Sequence, residues 1–279
     1  ADPFLPKKIE SGNVEDIREC IGCNICVTAD FLATPFRCTQ NPTMGEEWRK
    51  GWHPEKINIK KSNDSHLIIG GGPAGLECAR ALGQRGYFVT LTEASRELGG
   101  RVINESNLPG LSEWIRVRDY RQTQLNRMQN VKIYPCSLMS ADDIREFGAN
   151  RVVVATGSKW RRDGIGRANY AAIQGHDLPH VLTPEDIMAK QEVTGTVLIF
   201  DDDHYYMGGV LAEKLRLQGY PVALVTPSGE VSDWTHNTLE QNRIQTRLLE
   251  MKIEIIPHKN LSKIRNNCVD LQCIFTNRV

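Results

Sequence analysis

From Ser65 onward the chain alternates short apolar runs with amphipathic stretches of helical period, a rhythm that the residues before it lack. His66-Leu67-Ile68-Ile69 reads as a short buried strand. Leu76 to Arg85 places Leu76, Ala79 and Leu82 on one helical face and stops at Gly86, and Tyr87 to Thr92 is a second strand. A polar helix from Leu111 to Met128, a strand at Val131–Tyr134 and a helix at Asp142–Phe147 follow. The β-branched strand Arg151–Ala155, read as buried, then delivers a small Thr156-Gly157 turn. Thr183-Pro184-Glu185-Asp186 opens a further helix with proline at its first position. A second unit continues with strand Val197–Phe200, helix Met207–Gln218, strand Val222–Val225, a helix over Ser232–Glu250 and a strand over Lys252–Ile256. Strands alternating with helices in this way predict an α/β fold built on parallel sheets.

The amino-terminal part reads differently. Ala1–Glu10 carries two prolines and no periodic apolar face, which suggests a connector, and Val14–Cys20 has the length of a short helix. Thr39–Lys61 is polar and irregular, with turn signals at Asn41-Pro42 and Gly45. Trp48, Trp52 and His53 in it are read as a packed aromatic patch rather than as ligands. Between these stretches lies Cys20-Ile21-Gly22-Cys23-Asn24-Ile25-Cys26, with a fourth thiol at Cys38. Three thiolates spaced two residues apart plus a remote one are the usual supply for a cubane [4Fe–4S] cluster, which needs four ligands converging on one centre. Gly22 lets the backbone turn tightly around the sulfurs. Zinc is the alternative, although it more often draws on two separate Cys pairs or a His pair. Disulfides fit less well, because three closely spaced thiols leave one unpaired.

The second site is Gly70-Gly71-Gly72-Pro73-Ala74-Gly75. A G-x-G-x-x-G alone is weak, but here a strand precedes it, a helix follows, and Glu93 ends the next strand about twenty residues on, the context that marks dinucleotide binding. Gly70 permits the tight turn, Gly72 the close approach of a pyrophosphate, and Gly75 the packing of helix on strand. The helix amides hold the diphosphate, Glu93 accepts from the ribose hydroxyls, and Thr156-Gly157 passes beneath the nucleotide. In the second unit the equivalent turn is Asp201-Asp202-Asp203-His204-Tyr205-Tyr206, with Gly208-Gly209 arriving late. Carboxylates there repel a diphosphate, so this domain has the shape of a nucleotide fold without its dinucleotide. The acidic turn is read as a solvated helix cap rather than a metal site, and His236, with no visible partner, as core or cap.

Totals add limits. The chain has 279 residues, 40% hydrophobic content and 34 basic against 34 acidic residues, which describes about two domains and no nucleic-acid footprint. No apolar run is long enough to span a bilayer. Eight cysteines, four of them in one array, fit a reducing cytoplasm, and Cys78, Cys136, Cys268 and Cys273 are read as small buried residues.

Several stretches together resemble the trimethylamine, dimethylamine and histamine dehydrogenase family, iron–sulfur flavoproteins related to 2,4-dienoyl-CoA reductase. They are Ala1–Lys8, the array Cys20/Cys23/Cys26 with Cys38-Thr39-Gln40-Asn41, Gly51-Trp52-His53-Pro54-Glu55, the loop Gly70–Gly75 and the late turn followed by Val210–Leu215. The missing second glycine loop favours the amine branch over an NADPH-dependent reductase. The resemblance implies an internal fragment: an iron–sulfur segment (1–62), a first Rossmann domain (63–180) left incomplete, and a second Rossmann-like domain (181–279). An FMN-bearing (β/α)8 barrel, where the amine is oxidised, would precede it. It further implies that Cys20, Cys23, Cys26 and Cys38 ligate the cluster. Gly72, Pro73, Ala74, Glu93, Gly100 and Arg101 would hold ADP, or FAD, as a non-redox ligand. Electrons would pass from FMN through the cluster to an electron-transferring flavoprotein, in a cytoplasmic homodimer, with no catalytic residue in this chain. A rival outside the enzymes is a binding module with zinc in the cysteines and ADP as a structural ligand.

Overall fold

A computed structural model describes residues 2–51, 53–54 and 56–279, in two compact units. The first comprises residues 1–29, 34–107 and 111–158; the second comprises 30–33, 108–110 and 159–279.

The first unit opens with α1 (Leu5–Glu10), so the stretch read as a connector is in part a helix. Pro6 sits in its first turn, where the missing N–H is no loss, and Lys8 Nζ ties it to Asp2 and to the Asp16 carbonyl. Val14–Asp16 forms only one 3-10 turn, shorter than the expected helix. Helix α2 (Ile25–Leu32) begins within the cysteine array, and the spacing of thiols had hidden it. Then comes β1 (Ser65–Ile69), α3 (Pro73–Gln84), β2 (Phe88–Thr92), α4 (Arg101–Glu105), α5 (Arg116–Asn126), β3 (Val131–Tyr134), α6 (Ala141–Phe147) and β4 (Arg151–Val154). The sheet order is β3-β2-β1-β4, all parallel, with His66 paired to Val89 and to Arg151. This is the first half of a doubly wound nucleotide fold. Ile68, Leu76, Ala79, Val89, Leu91 and Leu125 form its core, which is why the apolar face of α3 was legible.

Two expectations change here. Four β-branched or aliphatic residues in a row suggested that β4 is buried on both faces. Instead it is the edge strand beside β1, with Val153 packed against the core and Val152 and Val154 exposed. Trp48 is exposed with the Arg49 guanidinium over its ring, and His53 is exposed, stacked on Phe4, so neither of these two is packed away from solvent as expected. Trp52, with Ala1 and Glu55, lies outside the described residues.

In the second unit α7 (Pro184–Met188) starts at a reciprocal capping box between Thr183 and Asp186, as Thr-Pro-Glu-Asp announces. The parallel sheet β5 (Val197–Phe200), β6 (Val222–Val225), β7 (Glu254–Ile256) carries α8 (Met207–Leu217) on the fully buried β6. The helix expected over Ser232–Glu250 is broken: a 3-10 turn spans Asp233–His236, and α9 covers Gln241–Glu250. Leu239, at φ 60°, interrupts them, and no glycine or proline announced the break. An antiparallel hairpin, β8 (Lys259–Ile264) with β9 (Val269–Cys273), completes the unit; sequence periodicity gave no sign of it. No helix among the described residues is long and apolar enough to cross a membrane.

Candidate cofactor sites

The glycine loop leaves β1 and enters α3 in a single tight turn. Gly70 has φ +107°, and a Cβ there would collide with the carbonyl oxygen of Ala155 at the end of β4. A Cβ on Gly75 would fall onto the carbonyl oxygen of Gly70, so helix and strand touch at this point. Gly72 is different: it caps α3 at φ −73° with nothing within 4 Å of where a Cβ would stand. The space in front of it is open to a ligand, and the first amides of α3 face the same end of the helix. Pro73 and Ala74 occupy the first turn, exposed.

Sequence reasoning had given Gly71 no task. A Cβ on it would lie 2.7 Å from Leu98 and 3.2 Å from Glu93, because the loop after β2 folds directly over it. Glu93 Oε2 accepts the Gly71 amide at 2.6 Å, while Oε1 accepts the amide and hydroxyl of Ser95, each at 2.8 Å. Burial pushes the Glu93 carboxyl up, but these bonds more than reverse it and hold it below the ordinary carboxylate range. Glu93 is thus an anchored anion at the strand end. Gly99 donates to the Gly71 carbonyl at 2.8 Å, and Gly100, at φ +56°, lies against Gly72. Arg101 begins α4 and pairs with Glu105 at 3.0 Å. Thr156 and Gly157 follow β4, exposed, with Gly157 at φ +76°. A cavity of about 490 Å³ opens beside the carboxyl ends of β2 and β3, lined by Arg96, Leu98, Arg118, Ile133 and Pro135. It adjoins the Glu93 strand rather than enclosing the glycine loop.

The cysteines are all free thiols; Cys20 is exposed, and Cys23, Cys26 and Cys38 are half-buried. Gly22 takes φ +68° and donates its amide to Cys20 Sγ at 3.3 Å. The Gln40 amide does the same for Cys38 Sγ at 3.4 Å, and Cys23 Sγ lies 3.2 Å from the Thr39 hydroxyl. The segment carrying Cys38 therefore folds back onto the C-x2-C-x2-C turn. Cys26 stands in the first turn of α2. Among the described residues no three of these sulfurs lie within 4.8 Å of one another.

Polar side chains, missed in the sequence, dock this segment. Along α5, Arg116 donates to the Cys20 carbonyl at 2.9 Å, Tyr120 OH accepts from Arg18 at 3.2 Å, and Gln124 donates to Asp16 at 3.1 Å. Arg127 also pairs with Asp16. Positions 116, 120, 124 and 127 share one helical face. Arg121, 4% exposed, donates Nε to Glu77 Oε2 at 2.8 Å and Nη1 to Gln40 Oε1 at 3.1 Å. Arg80, 1% exposed, grips the same Glu77 with two bonds of 3.1 and 2.6 Å. Arg18 is also buried. Only the Glu77/Arg80 spacing on one helix hinted at this network.

In the second unit the acidic turn is not solvated. Asp201 is 2% exposed, accepts the His204 amide at 3.1 Å, and has its carboxyl pushed up by burial. A Cβ on Gly208 would lie 2.7 Å from its carboxyl carbon, so Asp201 fills the place where a phosphate would approach α8. Asp202 accepts the Ala168 amide at 3.1 Å. His236 is neither core nor cap: it is exposed, with Nε2 2.6 Å from Glu230.

Residues 64–199 match the pyridine nucleotide-disulphide oxidoreductase family model, and residues 182–278 match the OYE-like second alpha/beta domain model. The chain thus joins a fold of the pyridine nucleotide-disulphide oxidoreductase type to an OYE-like second alpha/beta domain. It belongs to the family of trimethylamine, dimethylamine and histamine dehydrogenases. It is 44% identical to the dimethylamine dehydrogenase of Hyphomicrobium sp. (strain x) over 97% of its own length and 38% of that protein's. Histamine dehydrogenase from Rhizobium sp. 4-9 superposes with a TM-score of 0.95 at 52% identity, covering 99% of this chain and 43% of that one. A 6-hydroxypseudooxynicotine amine oxidase from Pseudomonas geniculata N1 gives a TM-score of 0.95 at 47% identity, over 99% and 42% of the two chains. The chain spans about two fifths of the length of these relatives.

Proposed function

We propose that this chain is the electron-transfer and nucleotide-binding part of an iron–sulfur flavoprotein amine dehydrogenase. Cys20, Cys23, Cys26 and Cys38 hold a [4Fe–4S] cluster in this reading. The loop Gly70–Gly75, with Glu93, Gly100, Arg101, Thr156 and Gly157, holds ADP or the ADP half of FAD. The domain ranges are those set out from the sequence. The observation that carries the reading is the folding of the Cys38 segment onto the C-x2-C-x2-C turn, with amides donated to Cys20 and Cys38. When bound, such a cluster carries one electron at a time. The chain's own residues set its environment: backbone N–H groups donate to the thiolates, and α5 fixes the segment in place.

The nucleotide is a ligand without redox work here. The anchored Glu93 is placed to accept from ribose hydroxyls and disfavours a 2′-phosphate, and α3 presents its amide end to the diphosphate. In the second unit Asp201 occupies the phosphate position, which speaks against a nicotinamide site and so against a dienoyl-CoA-type reductase. The dehydrogenase relatives support oxidation of a small amine by the whole protein. The electrons would arrive from an FMN domain of the same protein and leave to an electron-transferring flavoprotein, in a homodimer.

Anaerobic purification followed by iron, sulfide and zinc analysis tests the cysteine site. Stoichiometric iron and sulfide with a brown absorbance that dithionite bleaches is expected; colourless protein with one zinc per chain overturns it. Nucleotide released by heat denaturation is expected to be ADP or FAD, and NADPH is expected to bleach no bound flavin.

A further inference from the structure

Gln40 lies beside the candidate cluster and is 2% exposed. Its backbone amide donates to Cys38 Sγ at 3.4 Å, so its side chain emerges next to a proposed ligand. Oε1 of that side chain accepts from Arg121 Nη1 at 3.1 Å. A guanidinium has donors only, so the carboxamide must turn its oxygen toward Arg121 and its NH₂ the other way. There Nε2 is buried with no hydrogen-bond partner among the described residues. A buried amide donor left unpaired is costly, and native folds nearly always give it an acceptor.

The amide cannot easily turn over. Arg121 is held by Glu77 at 2.8 Å and by the Val117 carbonyl at 2.9 Å, and Glu77 is itself gripped by Arg80. Rotating Gln40 would set its NH₂ against a buried cation. A ligand bound by the neighbouring cysteines would supply the missing acceptor, and an anionic sulfur is an acceptor of the right kind.

We propose that the Gln40 side-chain amide donates a hydrogen bond to a thiolate or bridging sulfide of the iron–sulfur centre, with Arg121 as the positioning residue that fixes its orientation. The inference rests on the iron–sulfur reading above. An N–H donated to cluster sulfur stabilises the more negative, reduced state and raises the midpoint potential. Because neither a carboxamide nor a guanidinium titrates near neutrality, the effect holds across that range.

The test uses the full chain, purified anaerobically with its cluster. Gln40→Glu keeps the shape and the Arg121 bond but replaces the donor by an acceptor. The midpoint potential is expected to fall by at least a tenfold shift in the one-electron reduction equilibrium, about 59 mV. In the wild type, where folding is not in question, glutamine labelled with ¹⁵N in the side chain should give a nitrogen coupling to the reduced cluster in pulsed EPR. The coupling should weaken in Arg121→Met. An unchanged potential in a cluster-loaded Gln40→Glu chain, or a wild type without glutamine coupling, overturns the proposal while leaving the cluster reading intact. Should Gln40→Glu lose its iron, the wild-type coupling decides alone. A wild-type chain that holds zinc instead overturns the cluster reading, and this inference with it.

Discussion

At the scale of single residues, glycines that look alike in the sequence have different work. Gly75 is required by packing, since any Cβ meets the Gly70 carbonyl, whereas Gly72 faces open space at an ordinary φ. Gly75→Ala is expected to lower stability by about 1–3 kcal/mol, the range for overpacking. Gly72→Ala should melt at the wild-type temperature yet bind ADP at least about tenfold more weakly, roughly 1.4 kcal/mol, because its methyl group stands where the diphosphate would. Calorimetry with and without ADP separates the two. Cys273, half-buried rather than buried as the sequence suggested, offers a second measurement. Hydrogen bonds from the Thr276 hydroxyl and from the Thr276 and Phe275 amides draw its thiol down to about 7. Alkylation of this cysteine by iodoacetamide should therefore rise steeply through pH 7 and level off by about pH 8. Thr276→Val should move that rise to higher pH.

Among the elements, α5 has the unusual task of docking the cysteine segment with polar atoms. Its buried anchor is the Glu77–Arg121 pair. Burial raises the Glu77 carboxyl, but Arg80, Arg121 and Arg18 outweigh it and hold it below the ordinary 4.5. A carboxyl depressed in the folded state stabilises fully above that ordinary value, and the stabilisation is lost as pH falls through the folded one. Melting followed between about pH 6 and pH 3 should drop below 4.5 in the wild type and less steeply in Glu77→Gln. The outer contacts, Arg116 with Glu19 and Arg127 with Glu15, are exposed and screened by salt. Proteolysis in about 1 M salt, where the Debye length is about 3 Å, should therefore cut residues 1–62 earlier than at low salt, with the β1–α3–β2 core still intact.

Over the whole molecule, legibility followed the locality of the signal. The β1–α3–β2 unit was readable because its apolar face, glycine turn and acidic strand end lie within thirty residues of one another. The cysteine spacing is a local signal of the same kind, and the proposal for it rests on that spacing. The Gln40–Arg121–Glu77 chain was not, since it joins residues 81 and 44 positions apart, and nothing in local sequence marks a long-range polar contact. The break at Leu239 escaped because a leucine rarely takes a left-handed backbone, and Asp201 because an aspartate in a turn usually faces water. Hairpin β8–β9 escaped because Asn260, Ser262, Lys263 and Gln272 blur its alternation.

One feature of the first sheet reaches beyond the folded chain itself. Strand β4 pairs with β1 on one side only, and Val154 is 69% exposed. A row of amides and carbonyls left unpaired on one side and flanked by bare valines is adhesive, because a strand from any passing molecule can zip onto it. Prepared by itself, this chain should therefore sediment as species that grow with concentration. Val154→Lys, by placing a charge that must stay in water, should return it to a slow, uniform boundary without disturbing the glycine turn beneath.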